Sequence, residues 1–379
     1  MNISPGKISR LSLVFGVLIM SIITLSCNQK QKQKESWKKK DEIPLKYANG
    51  FKVIEHDNYK QIIIYDPDNT DDIISRLKIF PKSYKGKLKE REIKAPVEKI
   101  ICLSSTQLAY FIELNTINHI VALNSSKYLF NEKVNNKIDN GSIKRVGKEG
   151  NFNVELIAGI DPDLILVSPF KSGGYDALKN LGIPLLPIAS YNEKRPLGRA
   201  EWIKLIGHLT GKKRYADSVF QSIDSTYNHY LSLVSDVEHR PTVFSGRFTS
   251  GSWYVPGGKS FIANLIHDAG ADYIFDNNKK GGSPLDFEAV YSKGHDADFW
   301  RLQVSQPPGF TMEKFKKEDA RYADFKAFKD TNIIFCNIRV KPYYEENPVK
   351  PHILLGDFIH HFHPDLLKDY NPRYYELLK

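Results

Sequence analysis

Residues 213 to 237 contain no Gly or Pro, and their apolar side chains recur every three or four positions: Tyr215, Val219, Ile223, Tyr227, Leu231 and Val234. That is a helix period. About 25 residues at 1.5 Å each predict a rod of roughly 37 Å, enough to run the length of a pair of lobes. On both sides of this rod, short apolar runs alternate with helical stretches. Two α/β halves held on one stiff element enclose a cleft, so this segment constrains the chain more than any other feature.

The first half reads as an apolar run at Lys99–Ser104, a helix over 106–117, a strand at 119–124, a helix at 153–160, a strand at 164–168, a helix near 174–181 and a strand at 185–189. After residue 240 come a strand at 241–248, helices at 260–269 and 286–292, strands near 298–303 and 332–338, and a helix at 353–361. Strands alternating with helices imply parallel βαβ units. The expected fold class is α/β: two three-layer α/β lobes joined by one long backbone helix, with an N-terminal β-rich extension. The lobes take residues 96–198 and 239–379, and the connecting helices, linker included, take 199–238. The extension, 47–95, opens with two β-rich runs around His56-Asp57-Asn58, a hairpin pattern, and Lys85–Lys94 reads as a charged connector.

The N-terminus sets the compartment. Lys7 and Arg10 precede an apolar stretch, Leu11 to Leu25. Its length suits a signal peptide and falls short of the roughly 20 residues that span a bilayer. Leu25-Ser26-Cys27 ends it, so residues 1–26 are expected to be removed and Cys27 to be acylated. Residues 27–46 follow as a Lys/Gln-rich flexible tether that cannot build a core. Cys102 and Cys336 lie inside apolar runs in different halves, which predicts buried free thiols and no disulfide framework. The net charge of +10 is concentrated before residue 47. The remainder is too weakly basic to track phosphates, so no nucleic-acid partner is expected.

Several runs then resemble one family in order and spacing. Lys99-Ile-Ile-Cys-Leu-Ser-Ser-Thr looks like a first strand with a serine-rich turn. Asn153-Val-Glu-Leu-Ile-Ala-Gly-Ile-Asp-Pro-Asp-Leu-Ile-Leu looks like a Glu-bearing helix, a Pro-Asp turn and a buried strand. Leu181-Gly-Ile-Pro, Ser252-Trp-Tyr-Val-Pro-Gly-Gly-Lys-Ser-Phe, Ala297-Asp-Phe-Trp and His363-Pro-Asp-Leu-Leu continue the match. Over roughly 96–379 the chain resembles the ferric siderophore- and cobalamin-binding proteins of ABC importers. The resemblance implies a monomeric, non-enzymatic, lipid-anchored periplasmic protein without a cofactor. It would carry a ferric siderophore or cobalamin to an ABC permease of the inner membrane. It also implies a docking carboxylate on each lobe; Asp176 and Asp268 are the nearest acids, although Ser172 stands at the first expected position.

In paired α/β lobes a ligand sits beyond the carboxyl ends of the strands. The candidates from the first lobe are Ser104, Ser105 and Thr106, then Tyr128, then Phe170 and Lys171. From the second come Arg247, Trp253 with Tyr254, Trp300 with Arg301, Arg339 and Tyr343. Aromatic faces suit a corrin or catecholate, and Arg or Lys an anionic iron chelate. Trp253, in a Gly/Pro-rich loop, is expected to be exposed. Trp300 fits a core position as well as a ligand contact, and Arg247 and Arg339 fit inter-lobe ion pairs as well as ligand contacts.

Two alternatives remain. His360, His361 and His363 beside Asp357 and Asp365 raise a zinc- or manganese-binding transport protein. These residues share one segment, however, and His363-Pro364 marks a helix end, so a solvated or capping His run is expected and no metal site. An enzyme on the same two-lobed fold would need a nucleophile elbow, a P-loop or a dinucleotide fingerprint, and the sequence has none of these.

Overall fold

A computed structural model describes residues 41–379, apart from 67–68, 149 and 170–174 and the side chain of Thr70. Cys27, the tether up to residue 40, Phe170 and Lys171 therefore lie outside the described residues. Among the described residues no helix is long and apolar enough to cross a membrane.

The extension is a four-stranded sheet in the order β1-β2-β3-β4: Phe51–Glu55, Lys60–Asp66, Asn69–Pro81 and Glu92–Ala95. The turn at His56–Tyr59 joins the first two strands, and the end of the charged connector forms the fourth. Alternate residues (Phe51 and Val53, Ile62 and Ile64, Leu77 and Ile79) point inward, as a sheet buried on one face requires. They pack on the connecting helices, with the Phe51 ring 4.9 Å from that of Trp202.

A strap just ahead of this sheet fixes it. The amides of Lys46, Tyr47 and Ala48 donate to the Glu201 carboxylate, and those of Asn49 and Gly50 donate to Glu193. Both carboxylates are buried. Lys46 Nζ and Tyr47 Oη reach Asp224 on the backbone helix at 2.8 and 2.7 Å.

The first lobe is a parallel five-stranded sheet ordered β11-β10-β5-β6-β7. Its strands are β5 Ile100–Cys102, β6 Ile120–Leu123, β7 Lys144–Arg145, β10 Leu164–Val167 and β11 Leu185–Pro187, with a small ribbon of β8 Gly147–Lys148 and β9 Asn151–Phe152 alongside. Both faces are covered. Ile100, Cys102, Leu164 and Leu166 face the main core, and Ile101, Leu103, Ile165 and Val167 face a second cluster. That is why these strands read as unbroken apolar runs.

The second lobe repeats the plan in the order β15-β12-β17-β18-β19. The strands are β12 Thr242–Ser245, β15 Asp272–Tyr273, β17 Phe299–Val304, β18 Ile333–Asn337 and an antiparallel edge, β19 Glu376–Leu377. The strand expected over 241–248 is split: β13 Phe248–Thr249 leaves it to join β14 Ser252–Val255 and β16 Ser283–Leu285 in a small antiparallel sheet.

The backbone helix spans Lys213–Leu233, four residues shorter than its sequence pattern. Its buried stripe is Ala216, Phe220, Ile223 and Tyr227. Tyr215, expected on that stripe, is 49% exposed, so the packed face lies one residue out of phase with the expected one at its start.

Candidate functional site

The strand ends of the two lobes face each other. Tyr128, after β6, and Ser305, after β17, meet hydroxyl to hydroxyl at 2.7 Å. Glu345 Oε2 accepts the Phe130 amide at 2.8 Å, and Lys350 approaches Glu113 at 3.7 Å. The short helix Tyr343–Glu346 of the second lobe packs on the helix Ser105–Glu113 of the first. These contacts close one side of the seam. On the hinge side Asn264 Nδ2 donates to the Lys194 carbonyl at 3.0 Å.

Two arginines lie inside this ring of contacts. Arg301 is 5% exposed. It donates to Tyr375 Oη and Gln303 Oε1 at 2.8 Å and to Ser245 Oγ at 3.1 Å, all neutral partners. Burial works against its charge, and Tyr375 and Tyr343 outweigh it, so the guanidinium stays firmly protonated. Arg199 comes from the helix Pro196–Glu201, whose Pro at the first turn starts it without a side-chain cap. Its Nη2 donates to the Tyr191 carbonyl at 2.9 Å, and its guanidinium lies 3.9 Å over the Phe261 ring of the second lobe. Burial pushes its affinity for the proton down.

The hydroxyl of Tyr343 lies within electrostatic reach of both guanidiniums. Among the described residues neither arginine has a carboxylate partner. Glu193 acts on Arg199 only at longer range, since its oxygens already accept Asn49, Gly50 and Trp202. Arg199 carried no sequence signal; a buried cation with no local partner is visible only in three dimensions.

The candidates read from the sequence divide in two. Tyr128, Arg301 and Tyr343 lie at the seam, and the exposed Arg339 acts electrostatically on the Tyr128 hydroxyl. Ser104 and Thr106 are half-buried at the start of the helix Ser105–Glu113: Ser104 caps it by accepting the Thr106 amide, and the two hydroxyls bond at 2.6 Å. Ser105 is the first residue of that helix and also half-buried.

The rest are corrected. Trp253 is fully buried, not exposed, because β14 alternates and turns Trp253 inward and Tyr254 out, the latter 61% exposed. Trp300 is buried beside it, their rings 5.4 Å apart, in a cluster with Phe244, Phe315, Tyr322 and Phe325. On β17, Trp300 and Arg301 point to opposite faces, so only Arg301 reaches the seam. Arg247 is ion-paired to Glu318 within its own lobe.

Asp268, one of the two acids expected to dock, is held against the backbone helix by the Tyr227 hydroxyl at 2.5 Å, and burial raises its carboxyl above the usual range. Asp176 is exposed, paired to Lys179, and lines a cavity of about 510 Å³ with Ile74, Ser168 and Pro169. The three histidines each bond a backbone carbonyl, His360 to Leu367, His361 to Tyr375 and His363 to Gly270. Cys102 and Cys336 are buried and free.

Two lobes built on parallel strands and joined by a single helix, with their strand ends apposed, have the fold of bilobal solute-binding proteins. Residues 100–339 match the family described as periplasmic binding protein, and the chain belongs to that family. An uncharacterized lipoprotein of Methanocaldococcus jannaschii is 27% identical over 358 residues, covering 86% of this chain and 83% of its own. A second uncharacterized lipoprotein of that organism is 26% identical over 346 residues, covering 88% and 87%.

Among solved structures, the TroA-like periplasmic binding protein FepB of Veillonella parvula superposes with a TM-score of 0.57 at 18% identity, covering 77% of this chain and 97% of that one. The periplasmic heme-binding protein HutB of Vibrio cholerae gives 0.57 at 15%, covering 70% and 99%. The molybdate-binding MolA of Haemophilus influenzae gives 0.59 at 16%, covering 74% and 90%. At these identities the likeness concerns the fold alone. The family and these neighbours are described as binding proteins.

Proposed function

We propose that this protein is anchored outside the cytoplasm through a lipid on Cys27, captures an anionic solute between its lobes and hands it to an ABC permease. The observation that carries the reading is the Arg199–Tyr343–Arg301 arrangement. Among the described residues the buried guanidinium of Arg301 and the half-buried one of Arg199 have no carboxylate partner, and burying cations without a counter-charge is costly. A bound anion supplies that counter-charge, and a planar guanidinium fork suits oxygen ligands. The lipid anchor is supported by Leu25-Ser26-Cys27, by the tether after it, and by relatives named as lipoproteins.

Of the ligands expected from the sequence, a ferric chelate fits this charge and neutral cobalamin does not. The tryptophan faces that would stack on a corrin lie inside the second lobe. Thermal unfolding with a panel of anionic and neutral solutes tests the reading. Anionic solutes, whether ferric siderophores or small oxyanions, should include one that raises the melting temperature, less so in high salt. Stabilisation by cobalamin alone would sink it.

A further inference from the structure

We infer that the seam takes a compact oxyanion of a few heavy atoms rather than a ferric chelate; this deepens the anionic reading above and rests on it. The first ground is an excess of donors. Gln107 Nε2, Arg199 Nε and Gln303 Nε2 are buried N–H groups with no acceptor. The two amides cannot simply be turned over. Gln107 Oε1 accepts the Leu103 amide at 3.0 Å, and Gln303 Oε1 accepts Arg301 Nη2 at 2.8 Å, which fixes each nitrogen as the free end.

Buried donors left unpaired are rare and costly, so each of them calls for an acceptor. These donors belong to connected elements. Gln107 is one turn before Tyr110, whose hydroxyl donates to the Arg199 carbonyl at 2.9 Å. Arg199 and Arg301 both act on Tyr343, and Gln303 is bonded to Arg301. Asn347 Oδ1, on the segment that follows Tyr343, is a buried acceptor without a donor and would suit an oxyanion that carries a proton.

The second ground is size. The lobes already touch through Tyr128–Ser305 and Phe130–Glu345 in front and through Asn264–Lys194 behind. Ligand pockets for molecules of several hundred daltons run to about 300–1,000 Å³. A tris-catecholate chelate of that size is harder to seat between lobes joined on both sides than an oxyanion of four or five heavy atoms.

The test is calorimetric titration of the full-length protein, in detergent and about 150 mM NaCl, with molybdate, sulfate, phosphate, a ferric tris-catecholate and cyanocobalamin. One oxyanion should bind at one per chain with micromolar or better affinity. Arg199→Gln should weaken it at least about tenfold, the loss of one charge-assisted bond, and Gln303→Leu several-fold. Gln303→Leu leaves both charges in place but also removes the Oε1 that accepts from Arg301, so unchanged melting of the free variant is what separates a lost donor from a damaged fold.

Binding of the ferric chelate, sensitive to Arg199→Gln, with no response to any oxyanion, would overturn the inference and keep the anionic reading. Binding of cyanocobalamin alone, or of no anion by a protein that melts cooperatively, would overturn both. Oxyanion binding indifferent to Arg199→Gln and Gln303→Leu would place the anion elsewhere and overturn the inference.

Discussion

Glu345 and the Phe130 amide meet from opposite lobes, carboxylate oxygen to N–H at 2.8 Å, with the Asn131 amide as a second donor. This bond joins the lobes directly, and its acceptor is 3% exposed. Burial raises the Glu345 carboxyl above its ordinary value of 4.5, against the pull of the two amides. The closed form therefore binds this proton more tightly than an open form with Glu345 in water. Closure is favoured below the ordinary value, and that contribution is lost as pH rises through the raised one.

Glu345→Gln should keep the acceptor and remove this pH dependence, whereas Glu345→Ala should weaken closure by about 1–3 kcal/mol, the usual cost of orphaned buried amides. Small-angle scattering across that pH range, with and without bound anion, reads both. An unchanged radius of gyration for Glu345→Ala throughout would show that the contact does not hold the lobes.

The strap makes a separate prediction. Glu201 accepts three consecutive amides and Lys204 Nζ at 2.7 Å. Glu201→Ala would strand all of them and should lower stability by about 3 kcal/mol in urea unfolding. It should also open residues 46–50 to proteolysis before global unfolding.

Cys27→Ser tests the anchor. The variant should be recovered either as a soluble mature chain or as uncut precursor. A membrane-bound mature chain of unchanged size would end the lipid assignment, since the proposed anchor is the lipid on Cys27.

How far the sequence could be read follows from which signals are local. Ile100–Leu103 and Leu164–Val167 announce strands covered on both faces because every residue is apolar, and the helix period announces the rod. The hairpin at His56–Tyr59 is legible for the same reason. The strap is not: Glu193 and Glu201 hold amides some 150 residues upstream, and nothing near them in sequence says so. The site was half legible. Arg301 and Tyr128 fall at strand ends, where topology puts ligands, but Arg199 sits on a short connecting helix whose neighbours reveal nothing. Trp253 is misleading in sequence because the Gly and Pro of SGSWYVPGG mask the period-two pattern of the four residues between them.

Its burial changes what tryptophan should report. Trp202, Trp253 and Trp300 are all fully buried. In a Trp37→Phe background acrylamide should quench them weakly. Trp300→Ala removes a ring stacked among five aromatics and an Nε1 bond to the Gly246 carbonyl at 2.8 Å. It should cost about 3–5 kcal/mol in urea unfolding. A loss below about 1 kcal/mol would mean that the ring is not packed as described.

Asp268 gives the last prediction, and its sign is opposite to that of a surface acid. Burial is the largest influence on its carboxyl and raises it above the ordinary value of 3.8, although the Tyr227 hydroxyl, His267 and Arg195 all pull it down. The folded chain thus holds this proton more tightly than the unfolded chain does. The stabilising contribution is complete below the ordinary value and disappears as pH rises through the folded one, and above it the ionised carboxyl is held at a net cost. Asp268→Asn keeps an acceptor for Tyr227 and removes that cost. Its melting temperature should exceed that of the wild type at pH 7, and the gap should shrink as pH falls through the window. Asp268→Ala, which orphans the Tyr227 hydroxyl, should instead lose about 1–2 kcal/mol. A wild type more stable than Asp268→Asn at pH 7, with the gap closing in acid, would mean that the carboxylate is stabilised where it lies and that burial is not its dominant influence.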